Sequence, residues 1–251
     1  MVDVDALADR LRMAAATRTP IAPLTVTEPA LDLPTAYAVQ QAQRPADAAG
    51  WKLGITSRAK QVQVGLDSAV HAALDAADAL DPGEPLEVSQ LIQPRAEPEI
   101  VFVLGCDLAG PHVRAADVLA ASSSVAVGLE ILDSRFHDYR FTMADVVADR
   151  VSAARHLVGD PLPPTGLDLR LVGVVMEKNG VPTATASGAA SLGHPAAAVA
   201  WLVRRLAAEG EGLHAGQIVL SGGLTAAVPV DSGDVVTATI DRLGSLTLSC
   251  R

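Results

Sequence analysis

The sequence predicts an α+β protein in which a curled, β-rich core over residues 86–251 follows a smaller, helical N-terminal cap over residues 1–85. Three observations carry this. Before residue 86, apolar residues recur mainly at helical spacing. From there on, short β-like runs take over, at 86–89, 99–105, 124–132, 171–177, 217–221, 235–240 and 245–249. Only two helical stretches interrupt those runs. The 251 residues are 49% hydrophobic, enough for a sizeable core, and the two portions are expected to form one structural unit. Aromatics make up 3%, so that core must be built from Ala, Val and Leu.

Taken in order, residues 3–17 place Leu7, Leu11 and Met13 with Ala6 and Ala14 at helical positions, and Asp3 or Asp5 is available as the cap. Pro20 and Pro23 break that helix. A second helix is expected over Pro34–Gln43, with the proline in its first turn. Residues 50–56 read as a strand punctuated by glycine, and Ser57–Val64 as the start of a helix. The Ala- and Asp-rich stretch 67–80 reads as an irregular or helical lid, and Asp81-Pro82-Gly83 as a turn. In the core, helices are expected at Ala115–Ala121 and at Pro195–Glu209, the latter opened by proline and followed by Gly210. Asn179-Gly180 marks a hairpin turn.

The net charge of −10 argues against a nucleic-acid partner, which requires a basic footprint. Cys106 and Cys250 are too few for a disulfide framework, and both read as buried or inert thiols. The acidic N-terminus lacks the order of a signal peptide. Residues 179–203 lack Asp, Glu, Lys and Arg but are interrupted by Asn179, two prolines, His194 and several glycines, so no membrane span is expected. These features suit a soluble, cytoplasmic protein.

The chemistry centres on three acids in two β-like segments. Glu97 and Glu99, two apart in a strand, share a face. That pair alone reads as surface strand acids. Glu130, set between Val-Ala-Val-Gly-Leu and Ile-Leu, changes the balance, because a carboxylate in apolar surroundings needs a partner. A hard divalent cation is one partner that satisfies several carboxylates at once. Lys52, between Trp51 and Leu53 and bracketed by Gly50 and Gly54, either snorkels to solvent or is kept to balance a charge. Ser221-Gly222-Gly223-Leu224-Thr225 is either a tight β-turn or a loop that offers backbone N–H groups to an anion. His137, His156 and His194 have no metal-ligand spacing and read as structural.

Several motifs together resemble the 2-keto-4-pentenoate hydratase and 4-oxalocrotonate decarboxylase group of the fumarylacetoacetate hydrolase superfamily. They include 36–40, Trp51-Lys52-Leu53-Gly54-Ile55-Thr56-Ser57, 94–100, 129–135, 146–149, 173–180, 192–195, 221–229 and 243–245, in family order and over about residues 35–249. The resemblance implies the curled, mostly antiparallel fumarylacetoacetate hydrolase-type fold with a smaller α/β N-terminal portion, and Mg²⁺ or Mn²⁺ held by Glu97, Glu99 and Glu130. It implies Lys52 as the catalytic lysine and Arg135, Asp149, Ser152, Gly222, Gly223 and Thr225 as substrate contacts. The implied substrate is an unsaturated 2-oxo acid from meta-cleavage of aromatic rings. The segments 132–141, 173–180 and 222–230 look more like the decarboxylase branch, which acts on 2-oxohex-3-enedioate. Hydration of 2-hydroxypenta-2,4-dienoate is the alternative, and a non-catalytic partner subunit a remote one. The resemblance also implies a homo-oligomer, with association between hydratase and decarboxylase siblings.

Two departures from the family pattern stand out. The usual Pro-x-Tyr/Phe-Gly turn over the substrate is here Ala69-Val70-His71-Ala72, and the usual Ala-Asp-Asn-Ala-Ser-Ser is Ala148-Asp149-Arg150-Val151-Ser152-Ala153. His71 and Arg150 are therefore candidate specificity changes. Arg150 either grips an extra carboxylate or points outward.

Overall fold

The computed structural model describes residues 2–46, 48–57, 61–62 and 68–251. Helix α1 (Val4–Thr17) is capped by Asp3, whose carboxylate accepts from the Ala6 N–H. A single turn, α2 (Leu24–Thr27), and α3 (Leu33–Ala42), capped by Asp32, follow. Later helices are α4 (Ala115–Ala121), α5 (Met143–Ala148) and α6 (Pro195–Ala207). The helix expected from Ser57 lies largely outside the described residues.

A seven-stranded, half-barrel sheet forms the centre of the molecule. Its path runs β2 (Val70–Asp75), β1 (Ala48–Gly54), β8 (Ile218–Leu220), β3 (Arg95–Leu104), β4 (Ser122–Leu132), β5 (Ala153–Val158), with β9 (Val228–Pro229) also on β3. Among the described strands of this sheet, β1 and β8 pair in parallel and the other pairs are antiparallel. A second sheet orders β11 (Gly244–Ser249), β10 (Val235–Ile240), β6 (Gly173–Lys178), β7 (Val181–Ser187). The β6–β7 hairpin turns at Asn179 and Gly180, which adopt the left-handed backbone such a turn requires.

Strand alternation assigns the two faces of the large sheet. Ala96, Ile100, Phe102 and Leu104 of β3 join Val125, Val127, Leu129 and Ile131 of β4 in the main core. There they meet Val174, Met176, Val236, Ala238 and Leu248 of the second sheet and the apolar side of α6. Trp51 and Leu53 of β1 point the same way. The intervening residues, Glu97, Glu99 and Lys52, therefore face the opposite side. There α1, α3 and α5 build a smaller core with Val70, Ala72, Phe136 and Val151. Strands from both sides of residue 85 thus share one sheet.

Some expectations need correction. Residues 70–75 are a buried strand, not a lid: alanines leave room for close packing against β1, and only 76–78 form a 3₁₀ turn. The run 86–89 contributes one bridge, Leu86 to Cys250, before a 3₁₀ turn. Strands β2, β5, β7 and β9 and helices α2 and α5 were not anticipated. Of the two free thiols, Cys250 is buried, and its environment pushes it up to about 11, whereas Cys106 is exposed.

Candidate metal centre and active site

Glu97 and Glu130 are direct partners across β3 and β4, and Glu99 lies opposite Gly128. One carboxylate oxygen from each of Glu97, Glu99 and Glu130 lies within 4.8 Å of the others, and all three side chains are buried. Lys52 reaches them from β1: its Nζ sits 2.8 Å from Glu130 Oε1 and donates to the Val151 carbonyl at 3.0 Å. Its exposure is 1%, so this lysine does not snorkel. Glu99 Oε2 accepts from the Gly222 N–H at 2.6 Å, whereas Glu99 Oε1 and Glu130 Oε2 have no hydrogen-bond partner among the described residues. Buried, unpartnered anionic oxygens that converge in this way suit a hard divalent cation.

Electrostatics point the same way. Burial, and next the charge of Glu130, raises the Glu99 carboxyl well above its ordinary value, and Lys52 only partly offsets this. Burial also raises Glu130, opposed by Lys52. Three buried carboxyls close together concentrate negative charge at this site. A divalent cation neutralises it.

The Val151 carbonyl is aimed by an unusual turn. Arg150, Val151 and Ser152 have φ of 51°, 53° and 58°, a left-handed run that is costly for a β-branched residue. Gly54 makes room for it, since a Cβ there would lie 2.4 Å from Val151 Cγ1. A buried brace holds the turn. Arg135 pairs with the Asp149 carboxylate and donates to the carbonyls of Asp133, Asp149 and Ala153. The Asp133 N–H donates to the Ser152 carbonyl at 2.8 Å. Burial outweighs Arg135 and moves the Asp149 carboxyl up to about 6.

A cavity of about 250 Å³ opens beside the acids and is lined by Lys52, Glu97, Arg95, Tyr139, Phe141 and Ser152 among others. Gly222 meets the acids through its N–H, which donates to Glu99 Oε2. Gly222 has φ +100°, and a Cβ would lie 2.1 Å from Thr56 Oγ1, so the loop is both a turn and an N–H donor to Glu99. Thr225 turns its hydroxyl back to the Ala226 carbonyl at 3.0 Å.

The sequence-derived residues therefore divide. Lys52, Glu97, Glu99, Glu130, Ser152 and Gly222 come together. Arg135 and Asp149 are consumed by each other behind the strained turn, outside the residues that line the cavity. Arg150 does not line the cavity beside the acids; its guanidinium lies 3.7 Å from the Asp78 carboxylate, beside the 2.9 Å Arg155–Asp78 pair. His71 pairs with Leu53, one register position from Lys52, so it projects to the opposite face of the sheet. It lines a separate cavity of about 490 Å³ with Tyr37, Trp51 and Arg205, stacked on Tyr37 at 5.0 Å. Sequence reasoning passed over Arg95 and Tyr139. Arg95 was legible: it has the same parity as Glu97 and Glu99 on β3.

Burial, and next the charge of Arg205, lowers His71 to about 4, against a smaller opposing effect of Glu211. A histidine with a depressed folded value stabilises the fold above its ordinary value, and that contribution is lost as pH falls toward 4. The expected loss is about 3 kcal/mol through this residue. Urea unfolding from pH 7 to 4 should show a shallower fall for His71→Gln than for the wild type. Parallel curves would refute the assignment.

The curled sheet with a buried carboxylate centre and one lysine defines a class, an α+β fold built around a divalent-metal site. The fumarylacetoacetate (FAA) hydrolase C-terminal family matches residues 54–250, and the chain belongs to that family. It is 41% identical over 199 residues (79% of this chain, 75% of the relative) to a 4-oxalocrotonate decarboxylase of Pseudomonas sp. strain CF600. It is 40% identical over 234 residues (90% and 87%) to a 2-keto-4-pentenoate hydratase of Paraburkholderia xenovorans strain LB400. Among solved structures, 4-oxalocrotonate decarboxylase from Pseudomonas putida G7, complexed with magnesium and adipate, superposes with a TM-score of 0.93. It is 36% identical, and the match covers 99% of this chain and 97% of that one. Both activity names describe lyases. No helix among the described residues is long and apolar enough to cross a membrane.

Proposed function

We propose that this chain is a metal-dependent carboxy-lyase that acts on an unsaturated 2-oxo diacid such as 2-oxohex-3-enedioate. The observation that carries the reading is the convergence of Glu97, Glu99 and Glu130 with Lys52 at the edge of an apolar-walled cavity. Similarity to two decarboxylases supports it, one of them solved with magnesium and a six-carbon diacid. Glu97, Glu99 and Glu130 would hold Mg²⁺ or Mn²⁺, which supplies Lewis-acid polarisation to the 2-oxo oxygen.

The chain's own residues do the rest. Phe141, Leu132 and Val146 keep water from the carbon chain. As the C5–C6 bond breaks, CO₂ leaves and its electron pair moves through the C3–C4 double bond to the 2-oxo oxygen. One proton on that oxygen then yields 2-hydroxypenta-2,4-dienoate. The Lys52 ammonium, held by Glu130 and Val151, is placed to offset the negative charge of the carboxylates and to move that proton.

The hydratase reading rests on a relative of 40% identity. It requires the same centre with water adding to 2-hydroxypenta-2,4-dienoate. A cytoplasmic homo-oligomer, associating with a hydratase or decarboxylase sibling, completes the proposal on family grounds. The test is an ultraviolet and CO₂ assay with both compounds, in Mg²⁺ and in EDTA. Metal-dependent CO₂ release from 2-oxohex-3-enedioate is the expected result. Loss of the dienol absorbance without CO₂ would instead establish the hydratase. Silence on both would point to the non-catalytic subunit.

A further inference from the structure

We infer that Arg95 is the subsite for the carboxylate at the far end of a diacid substrate, and so sets the preference for diacid over monoacid. The inference deepens the 2-oxo acid reading and rests on it. Arg95 lines the cavity together with Lys52 and Glu97. It stands two residues before Glu97 on β3, on the same face, about 7 Å away along the strand. That separation is close to the length of an extended six-carbon diacid. The register agrees: Arg95 lies opposite Leu132, and Glu97 opposite Glu130.

The guanidinium is positioned but not spent. It lies 4.0 Å from the centre of the Tyr139 ring, and Tyr139 is anchored through its hydroxyl to the Gln93 carbonyl at 3.2 Å. Among the described residues no carboxylate comes within ion-pair reach of it. Among the described residues, Arg135 is committed to Asp149, Arg150 and Arg155 to Asp78, and Lys52 to Glu130. A half-buried guanidinium held over a ring, with its donors uncommitted among the described residues, is arranged for a planar anion. A 2-oxo group at the acids leaves the opposite carboxylate of the same molecule to meet it.

The placement also fixes which kinetic constant responds. In decarboxylation the far carboxylate is the one that departs, and negative charge moves away from Arg95 toward the 2-oxo oxygen. Arg95 therefore stabilises bound substrate at least as well as the transition state, and acts on KM rather than kcat.

The experiment is calorimetric titration of the Mg²⁺-loaded enzyme with 2-oxoadipate and 2-oxohexanoate, which differ only in the far carboxylate and lack the alkene needed for reaction. The wild type should prefer the diacid by about tenfold or more, as one charge-assisted contact predicts. Arg95→Met should bring the two affinities to within about threefold by weakening the diacid alone, and Arg95→Lys should fall between. With 2-oxohex-3-enedioate, KM should rise in the same order at nearly constant kcat. An unchanged preference in Arg95→Met, or equal loss of both ligands, overturns the role of Arg95 and leaves the 2-oxo acid reading standing. Failure of both ligands to bind the wild type overturns that reading and this inference together.

Discussion

Replacing Lys52 by Met is expected to reduce kcat for 2-oxohex-3-enedioate by about 10²- to 10⁴-fold, the range of a lost proton-transfer group. The reasoning starts from burial. The Lys52 side chain is 2% exposed and that of Glu130 1%, so the 2.8 Å pair has exchanged water almost completely for itself. Met keeps the volume and discards the charge, and Glu130 is left buried beside Glu97 and Glu99. Breaking a buried pair in this way costs about 3–5 kcal/mol in the metal-free protein. Added Mg²⁺ takes over part of the neutralisation, so the Tm deficit should shrink in saturating metal while the loss in kcat remains. Turnover within tenfold of wild type would sink the catalytic assignment. A deficit unchanged by metal would show that Lys52 and the acids do not share one centre.

The second expected result concerns the acids themselves and has opposite signs in the two metal states. Glu99→Gln should abolish Mg²⁺-dependent stabilisation and lower turnover by at least about 10³-fold, because an amide is a poor substitute for an anionic ligand of a hard cation. Without metal the same variant should melt higher than the wild type near neutral pH. The Glu99 carboxyl is raised above its ordinary value, by burial first and by Glu130 next. Its contribution to metal-free stability is full below the ordinary carboxyl range and is lost as pH rises through the raised value. The amide escapes that loss and, with its side-chain oxygen toward Gly222, retains the hydrogen bond from that N–H. The advantage should therefore vanish near pH 4. At Mg²⁺ one hundred times its Kd the wild type gains about 2.7 kcal/mol, and the variant should gain almost nothing. Thermal melts with EDTA or Mg²⁺ at pH 4 and 8 decide it. A metal-induced rise equal to that of wild type would remove Glu99 from the ligand set.

Much of the site was legible because β-structure imposes a period of two. Glu97 and Glu99 stand at alternate positions among apolar neighbours, and that pattern alone places them on one face, opposite Ile100 and Phe102. The same parity includes Arg95, which composition does not distinguish from an ordinary strand-edge cation. Elsewhere the local signal misled. Val70–Asp75 looked too rich in Ala and Asp for a strand, yet packing against β1 favours small side chains there. Arg135 and Asp149 lie fourteen residues apart, and a motif cannot show whether their charges face a ligand or each other. Burial decided: Asp149 is wholly enclosed, and Arg135 meets it together with the Ser152 hydroxyl, which donates to the same carboxylate at 3.4 Å.

By itself the sequence determined the chemistry available to this protein: an acidic trio on sheet-forming segments, one lysine in an apolar strand and a glycine loop, in a chain similar to relatives named as decarboxylase and hydratase. Tertiary structure alone decided which of these meet. Lys52 reaches Glu130 because β1 is inserted between β2 and β8, a parallel pairing to a strand more than 160 residues away. His71 misses the site because its register places it one position off, where the side chain must point to the other face. Periodicity along a chain is local and can be read, whereas the register between distant strands depends on burying both faces of the sheet at once, and only the folded molecule satisfies that condition.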